Sequence, residues 1–583
     1  MKRILLSAAL SFAAFSLVEA ANPYLPLWEF IPDGEPYVFE DPDNPGQYRV
    51  YVYGSHDNLI QYYCGRDQVV WSAPVDNLKD WRLDGVIFEN LRNGNGDLLN
   101  AEGVGDVLYA PDVTLVTDAT GKKTYYLYPN VQNDQRAGLI AKSDRPDGPF
   151  EVCNWDPNDP NATTGVLRFD PGVFVDDDGR VYGYWGFERS YAAELDPNTM
   201  CTVKAGTPVI EDMVSGRYQD GIFHFFEASS IRKIKDKYVL IYSRFAPEGE
   251  WGLPETNYTL AYAYSNSPLG PWTYGGTIID GRGKEQLADG TWQITATPSG
   301  NTHGSICEIN GKWWVFYHRQ AGTSEYSRQA MVAPIDVEVT EGANGYVKIS
   351  EGEFTSEGFE TEGLNPLERH AAGIACYFVG PEPAHQEYPN VIYPGSHTEI
   401  FRIQYDGETP VYDPSIDQCH MVNNVDGSIV GYKYFNFNHT HGMKHPTLYV
   451  TNIPQGIEGT VEIWVDHPTP YTGSRRLWNS NVLAPEGIKI GEYHVQADYP
   501  KEKRTEYIPV DALSQLEGKH ALFFVFKSDV KGQSITTLTD IQFGEGFVVA
   551  EESHTPFWYF IALGVLGALI VIILMKLLAK KKK

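Results

Sequence analysis

The sequence predicts an all-β chain: a five-bladed β-propeller followed by a β-sandwich, with one C-terminal transmembrane helix. Three observations predict it. A phrase made of a polar residue, small or apolar residues and an aromatic-rich strand recurs five times between residues 35 and 320. Beyond residue 371 the texture becomes one of alternating strands separated by turn signals. Near the C terminus, a stretch without charge is long enough to cross a bilayer.

The repeated phrase opens at Glu35, Asp112, Asp170, Glu227 and His303, and the strands that follow lie at 49–53, 125–128, 181–184, 238–242 and 313–317. Repeats of this size built from short strands mark propeller blades. The propeller is expected over 22–350. Radial symmetry carries equivalent positions of every blade to one axis, so the five leading residues are expected to converge there. Long Gly-containing insertions at 92–106 and 207–226 are expected to shape a cleft on one rim.

The sandwich is expected over 371–547. Residues 460–466 and 488–495 alternate with the period of a half-buried strand, and 520–526 is a continuous apolar run suited to a sheet centre. Turn signals at Pro454-Gln455-Gly456 and Glu517-Gly518 separate them.

Both termini read as targeting segments. Met1-Lys2-Arg3, an apolar run and the small-x-small site Val18-Glu19-Ala20 predict a signal peptide over 1–20. The helix expected at 556–575 has an aromatic belt (Phe557, Trp558, Tyr559) on one side, and a basic tail at 576–583 expected in the cytoplasm. The expectation is an exported protein, facing the cell surface or periplasm and anchored in the membrane. Six cysteines are too few for a disulfide scaffold in an exported chain of this length. Cys153 and Cys201 bracket the third repeat and either pair or remain free thiols. A net charge of −30 argues against a nucleic-acid partner, which would require clustered Lys and Arg.

Glu35, Asp112 and Glu227 stand at strand starts and are the expected catalytic residues. The apolar collar Phe225-Phe226-Glu227-Ala228 disfavours the charged form of Glu227, as a general acid requires. A more solvated Glu35 would stay ionised and activate water. Asp112 would raise the acid's pKa further by like-charge repulsion. Two carboxylates with such split roles are the apparatus of glycoside hydrolysis. An isolated carboxylate is usually a cap or turn former, but three at equivalent repeat positions reverse that preference, because burying unpaired carboxylates is costly. Asp170 is read either as a turn residue or as a substrate contact. His56 and Arg328 either meet sugar hydroxyls or bridge blades. His303 either holds a calcium ion or water on the axis, or is structural.

The motifs Asn22-Pro23-Tyr24-Leu25-Pro26, Ala110-Pro111-Asp112-Val113, Glu227-Ala228-Ser229, His303-Gly304-Ser305 and Phe316-Tyr317-His318-Arg319 together resemble glycoside hydrolase family 43 over essentially all of 22–350. The resemblance implies a five-bladed propeller, inversion at the anomeric carbon, and removal of α-L-arabinofuranosyl or β-D-xylosyl residues from plant-type polysaccharides. Galactan or galactofuranoside hydrolysis on the same fold, or a non-catalytic glycan-binding surface protein, are the alternatives. The resemblance also implies Glu227 as acid, Asp112 as pKa modulator and His303 beside the central ion or water, with no cofactor required beyond that possible calcium. One departure stands out: the family's base is an aspartate followed by proline, whereas here the matching position is Glu35-Pro36. Asp33, two residues earlier, is the alternative base. The second domain is similar to family 6 carbohydrate-binding modules through 510–518 and 539–543.

Overall fold

The computed structural model describes residues 21–546 apart from 60–61, 299, 324, 383–384, 388–390, 394–396, 402–404, 407–408 and 411–417. The chain is nearly all β. Among the described residues no helix is long and apolar enough to cross a membrane. The signal peptide expected over 1–20, the helix expected over 556–575 and its tail over 576–583 lie outside the described residues.

Five antiparallel sheets follow one another along the first part of the chain. The first joins Glu35–Glu40, Tyr48–Tyr53, Asp67–Pro74 and Arg82–Glu89. The second joins Asp112–Thr117, Lys123–Tyr128, Ala141–Ser143 and Glu151–Val152, and the third Gly172–Val175, Val181–Trp185, Tyr191–Leu195 and Val209–Glu211. The fourth joins Phe225–Ile234, Lys237–Ala246, Thr256–Ser265 and Thr273–Asp280, and the fifth Ser305–Ile309, Lys312–Gln320 and Arg328–Ile335. Strand order equals chain order in each, so every sheet is a meander of hairpins. The second strands of blades one, three and four are buried almost throughout, because each is packed on both faces by neighbouring sheets.

The first strand of each sheet packs against its neighbours: one on five, two on three, three on four, with the fourth sheet reaching the fifth. Tyr37 Oη donates to Asp112 Oδ1 at 2.6 Å and completes the circle between one and two. This cyclic order is that of a five-bladed propeller whose first strands face the axis. The N-terminal segment closes the ring. Asn22 Nδ2 donates to Val332 O (2.6 Å), Asn22 Oδ1 accepts from Val332 N (3.0 Å), and Tyr24 N donates to Ala330 O (3.2 Å) on the edge of the fifth blade. Inner strands approach so closely that a Cβ on Gly172 would lie 2.3 Å from Ser229 O. Only glycine fits there.

The second region has two sheets. One orders His397–Phe401, Gln418–Asn424, Thr536–Glu545, Pro446–Pro454 and Arg504–Pro509, with His370–Ala371 also paired to Thr536–Glu545. The other orders Tyr377–Val379, Ile429–Asn436, Lys519–Lys527, Gly459–Val465 and Ile488–Val495. The apolar run at 520–526 sits at the centre of that sheet, as its pattern requires. Side chains of both sheets join one core that continues into blades four and five. A buried ion pair, Lys433 Nζ to Glu285 Oε1 at 2.8 Å, crosses the same seam. Cys153 and Cys201 do not pair; both are free thiols.

Candidate active site

At one end of the propeller axis lies a cavity of about 430 Å³ whose lining includes Asp33, Ala110, Asp170, Glu227, His303 and Arg328, walled by Tyr62, Tyr63, Tyr109, Phe169, Phe187, Phe226 and Tyr326. Three carboxyl groups therefore share one pocket, but they are not the three expected from the sequence. Glu227 is among them. Glu35 and Asp112 are not.

The reason is a matter of register. Asp33, Ala110, Asp170 and His303 each stand two residues before the first strand of their blade, which begins at Glu35, Asp112, Gly172 and Ser305. Asp33 and Asp170 leave the extended conformation (φ 61° and 47°), so the strands proper begin only two residues later, and Glu35 and Asp112, at those strand starts, lie deeper and outside the cavity lining. At that depth their partners are internal. Glu35 Oε2 accepts from Arg232 Nη2 (2.9 Å) and Ser230 Oγ (3.1 Å). Asp112 accepts from Tyr37 Oη, Val113 N (2.8 Å) and Val173 N (2.6 Å). Burial, with Glu35 nearby, pushes Asp112 up to about 7.

Glu227 reaches the cavity through a β-bulge. Pairing between Phe225–Ile234 and Lys237–Ala246 slips on both sides of Glu227, and Ala228 adopts φ 68°. Bulges commonly re-aim a side chain in this way. Burial raises the Glu227 carboxyl well above the ordinary carboxylate range, and the neighbouring charge on Asp170 adds to it. Asp170 is buried at φ 47°, accepting from Asn130 Nδ2 (2.7 Å) and Ala228 N (3.2 Å). Its Oδ2 also lies 3.6 Å from His303 Nδ1.

Asp33, at φ 61°, is the opposite case. Burial alone would raise its pKa, but Arg328, His303 and a hydrogen bond from Ser55 Oγ together hold it below the ordinary value. Arg328 Nη1 donates to Asp33 Oδ1 at 3.0 Å, while its Nε and Nη2 grip Asp57 at 2.8 Å each. His318 is neutral: burial depresses it to about 3, its Nδ1 accepts from Asp33 N, and its Nε2 lies 2.8 Å from Asn301 O. One cavity thus pairs a carboxylate kept ionised with a carboxylic acid kept protonated, the combination general base and general acid require.

Of the other expected residues, Asp170, His303 and Arg328 line the cavity. His56 does not. It lies 3.3 Å from Glu29 and 3.1 Å from Asp67, and although burial opposes it, those two acids raise it to about 10. It is a bridge within the scaffold. His303 spans two layers, with Asp170 on one side and Glu35 Oε1 at 4.0 Å on the other. Burial lowers its pKa, but those acids together with Asp33 raise it to about 9, leaving it a cation at neutral pH. Around the axis His303 presents a nitrogen donor beside the carboxylates of Asp170 and Glu35, whereas calcium takes six to eight oxygen ligands, waters among them. Among the described residues no group of three or more His, Cys, Asp or Glu side chains is placed to hold a metal ion.

Sequence reasoning did not count Asp57, His318 or the aromatic walls among the site residues; in blade one it favoured Glu35 over its alternative, Asp33, and in blade two it chose Asp112 where the cavity is lined by Ala110. The signal was present. Asp33, Asp170 and His303 share a spacing to their strands that Glu35 and Asp112 lack.

The family model for glycosyl hydrolases family 43 matches residues 40–340. A xylosidase/arabinosidase of Thermoclostridium stercorarium is 31% identical over 540 residues, covering 89% of this chain and 99% of that protein. Xylosidase/arabinosidase 43A of Humicola insolens is 28% identical over 322 residues, covering 46% of this chain and 84% of its own length. Among solved structures, a family 43 arabinoxylan arabinofuranohydrolase from Bacillus subtilis shares 20% identity at a TM-score of 0.42, covering 90% of this chain and 97% of that one. The family match runs from blade one into blade five, and the T. stercorarium relative matches 89% of the chain, so this chain belongs to glycosyl hydrolases family 43.

Proposed function

We propose that this enzyme removes α-L-arabinofuranosyl or β-D-xylosyl residues from plant-type polysaccharides or their oligosaccharides, with Asp33 as general base, Glu227 as general acid and Asp170 as the residue that tunes Glu227. The observation that carries this reading is the meeting of those three carboxyls in one aromatic-walled cavity with opposite pKa displacements. The names of the relatives support the sugar class. Glu35 and Asp112 become scaffold acids, replacing the roles that the sequence suggested for them.

The glycosyl oxygen leaving the anomeric carbon takes the proton of Glu227. Ionised Asp33 accepts a proton from the water that attacks the opposite face, and Arg328 fixes its orientation. Asp170 contributes a negative charge that keeps Glu227 protonated until the bond breaks. The family resemblance implies inversion, which this single-displacement scheme produces. Phe187, 45% exposed and packed between Phe169 and Phe226 at 4.7 and 5.1 Å, offers a ring face at the mouth for the leaving sugar. The apolar segments outside the described residues support export and attachment to a membrane by the C-terminal stretch.

The test is release of 4-nitrophenol from the α-L-arabinofuranoside and β-D-xyloside by residues 21–550, with Glu227→Gln and Asp33→Asn beside the parent. NMR detection of the first-formed anomer decides inversion. Hydrolysis that persists in both variants would refute the assignment.

A further inference from the structure

Beneath the cavity, the side chain of Arg232 from blade four enters the axis and meets oxygens of three blades. Nη2 donates to Glu35 Oε2 (2.9 Å) and Pro36 O (3.2 Å) of blade one. Nη1 donates to Ile231 O (2.9 Å), Ser230 Oγ (3.1 Å) and Tyr37 Oη (3.3 Å), and Nε donates to Ile306 O (3.0 Å) of blade five. The guanidinium also lies 4.5 Å from the centre of the Tyr37 ring. Three carbonyls, two hydroxyls and a carboxylate make six oxygens around one cation. That is the ligand number and chemistry of a calcium cage, filled here by an arginine.

We propose that Arg232 is the resident cation of this propeller axis: its guanidinium does what a bound divalent ion would do, so the enzyme holds its central acids without calcium. Glu35 and Asp112 are both buried, and Tyr37 links them, donating to Asp112 and accepting from Arg232. A positive charge at that point offsets both acids. It also fixes Glu35, whose other oxygen faces His303, which in turn faces Asp170 in the cavity. Arg232 is therefore a positioning residue two removes from substrate. This inference deepens the proposed function only in that last link. The cation itself is tested without any substrate.

Two measurements on the purified protein come first: metal content by inductively coupled plasma mass spectrometry, and Tm after dialysis against EDTA and again with added calcium chloride. The expected result is calcium far below one per chain and a Tm indifferent to both treatments. Calcium at one per chain whose removal lowers Tm would overturn the proposal, whatever the catalytic activity. A second arm compares Arg232→Lys with Arg232→Met. The lysine variant keeps the charge and is expected to retain a higher Tm than the methionine variant. Guanidinium ion at low millimolar concentration is expected to raise the Tm of Arg232→Met and, if the proposed active site is correct, to restore part of its kcat with KM unchanged. Equal Tm values for the two variants and no response to guanidinium would reduce Arg232 to a packing residue. Loss of hydrolysis assignments with these stability results intact would sink the proposed function alone.

Discussion

Two layers of buried carboxylates share the axis, and they behave as opposites. In the upper layer, Asp33, Asp170 and Glu227 line an open cavity, and their surroundings separate their proton affinities: Arg328 holds Asp33 ionised while burial and Asp170 keep Glu227 protonated. In the lower layer, Glu35 and Asp112 are held by Arg232, Tyr37 and two backbone N–H groups. What separates the two layers is open space: the upper acids, although hydrogen-bonded, line a cavity that substrate can fill, whereas Glu35 and Asp112 are not part of its lining.

The sharpest way to break this comparison is to neutralise one acid in each layer. Glu227→Gln and Asp33→Asn should each lower kcat/KM by roughly 10²–10⁴-fold, the usual weight of a general acid or base, while Tm changes little. Glu35→Ala should do the reverse in character, destabilising by about 3–5 kcal/mol in urea denaturation because Arg232 loses its buried counter-charge. Should Glu35→Ala prove fully stable yet inactive, the layers have been assigned the wrong way round.

The next prediction sharpens the upper layer. With the proposed roles, activity requires ionised Asp33 and is expected to fall as pH drops through that residue's lowered pKa. It also requires protonated Glu227 and is expected to fall as pH rises through that raised pKa. Asp170→Asn removes a negative neighbour, which lowers the Glu227 pKa and should move the basic limb of the kcat/KM profile down by about one pH unit. A basic limb that stays in place would show that burial alone tunes the acid. Smaller still, Phe187→Ala should raise KM severalfold with kcat nearly intact, as expected for a ring that meets the sugar only at the mouth. Least of all, His56→Ala should leave kcat/KM within about twofold, since it lies outside the cavity, with a modest fall in Tm from the unbridged Glu29 and Asp67.

Much of this was legible in the residues. The aromatic hairpins specify the blades because strands buried on both faces need apolar side chains at every position, and the run at 520–526 marks a sheet centre for the same reason. Glu227 was legible through its apolar collar, since desolvation is a local effect of neighbouring side chains. The inner face of each first strand was legible too, because alternation with period two assigns a face without any tertiary information.

Depth along the axis was not. Asp33 and Glu35 are two residues apart, and nothing local says which of them stands at the rim; that depends on where the strand begins relative to its neighbours. The slip that turns Glu227 toward the cavity arises in the pairing with the return strand of its own hairpin, and Arg232 meets Glu35 across a sequence separation of 197. The sequence by itself determined the all-β architecture, the five inward-facing repeats and the acid Glu227. Only the tertiary structure decided which acids line the cavity and how their proton affinities are displaced, because proton affinity in a buried site is set by the charges and donors that the fold brings within a few ångströms.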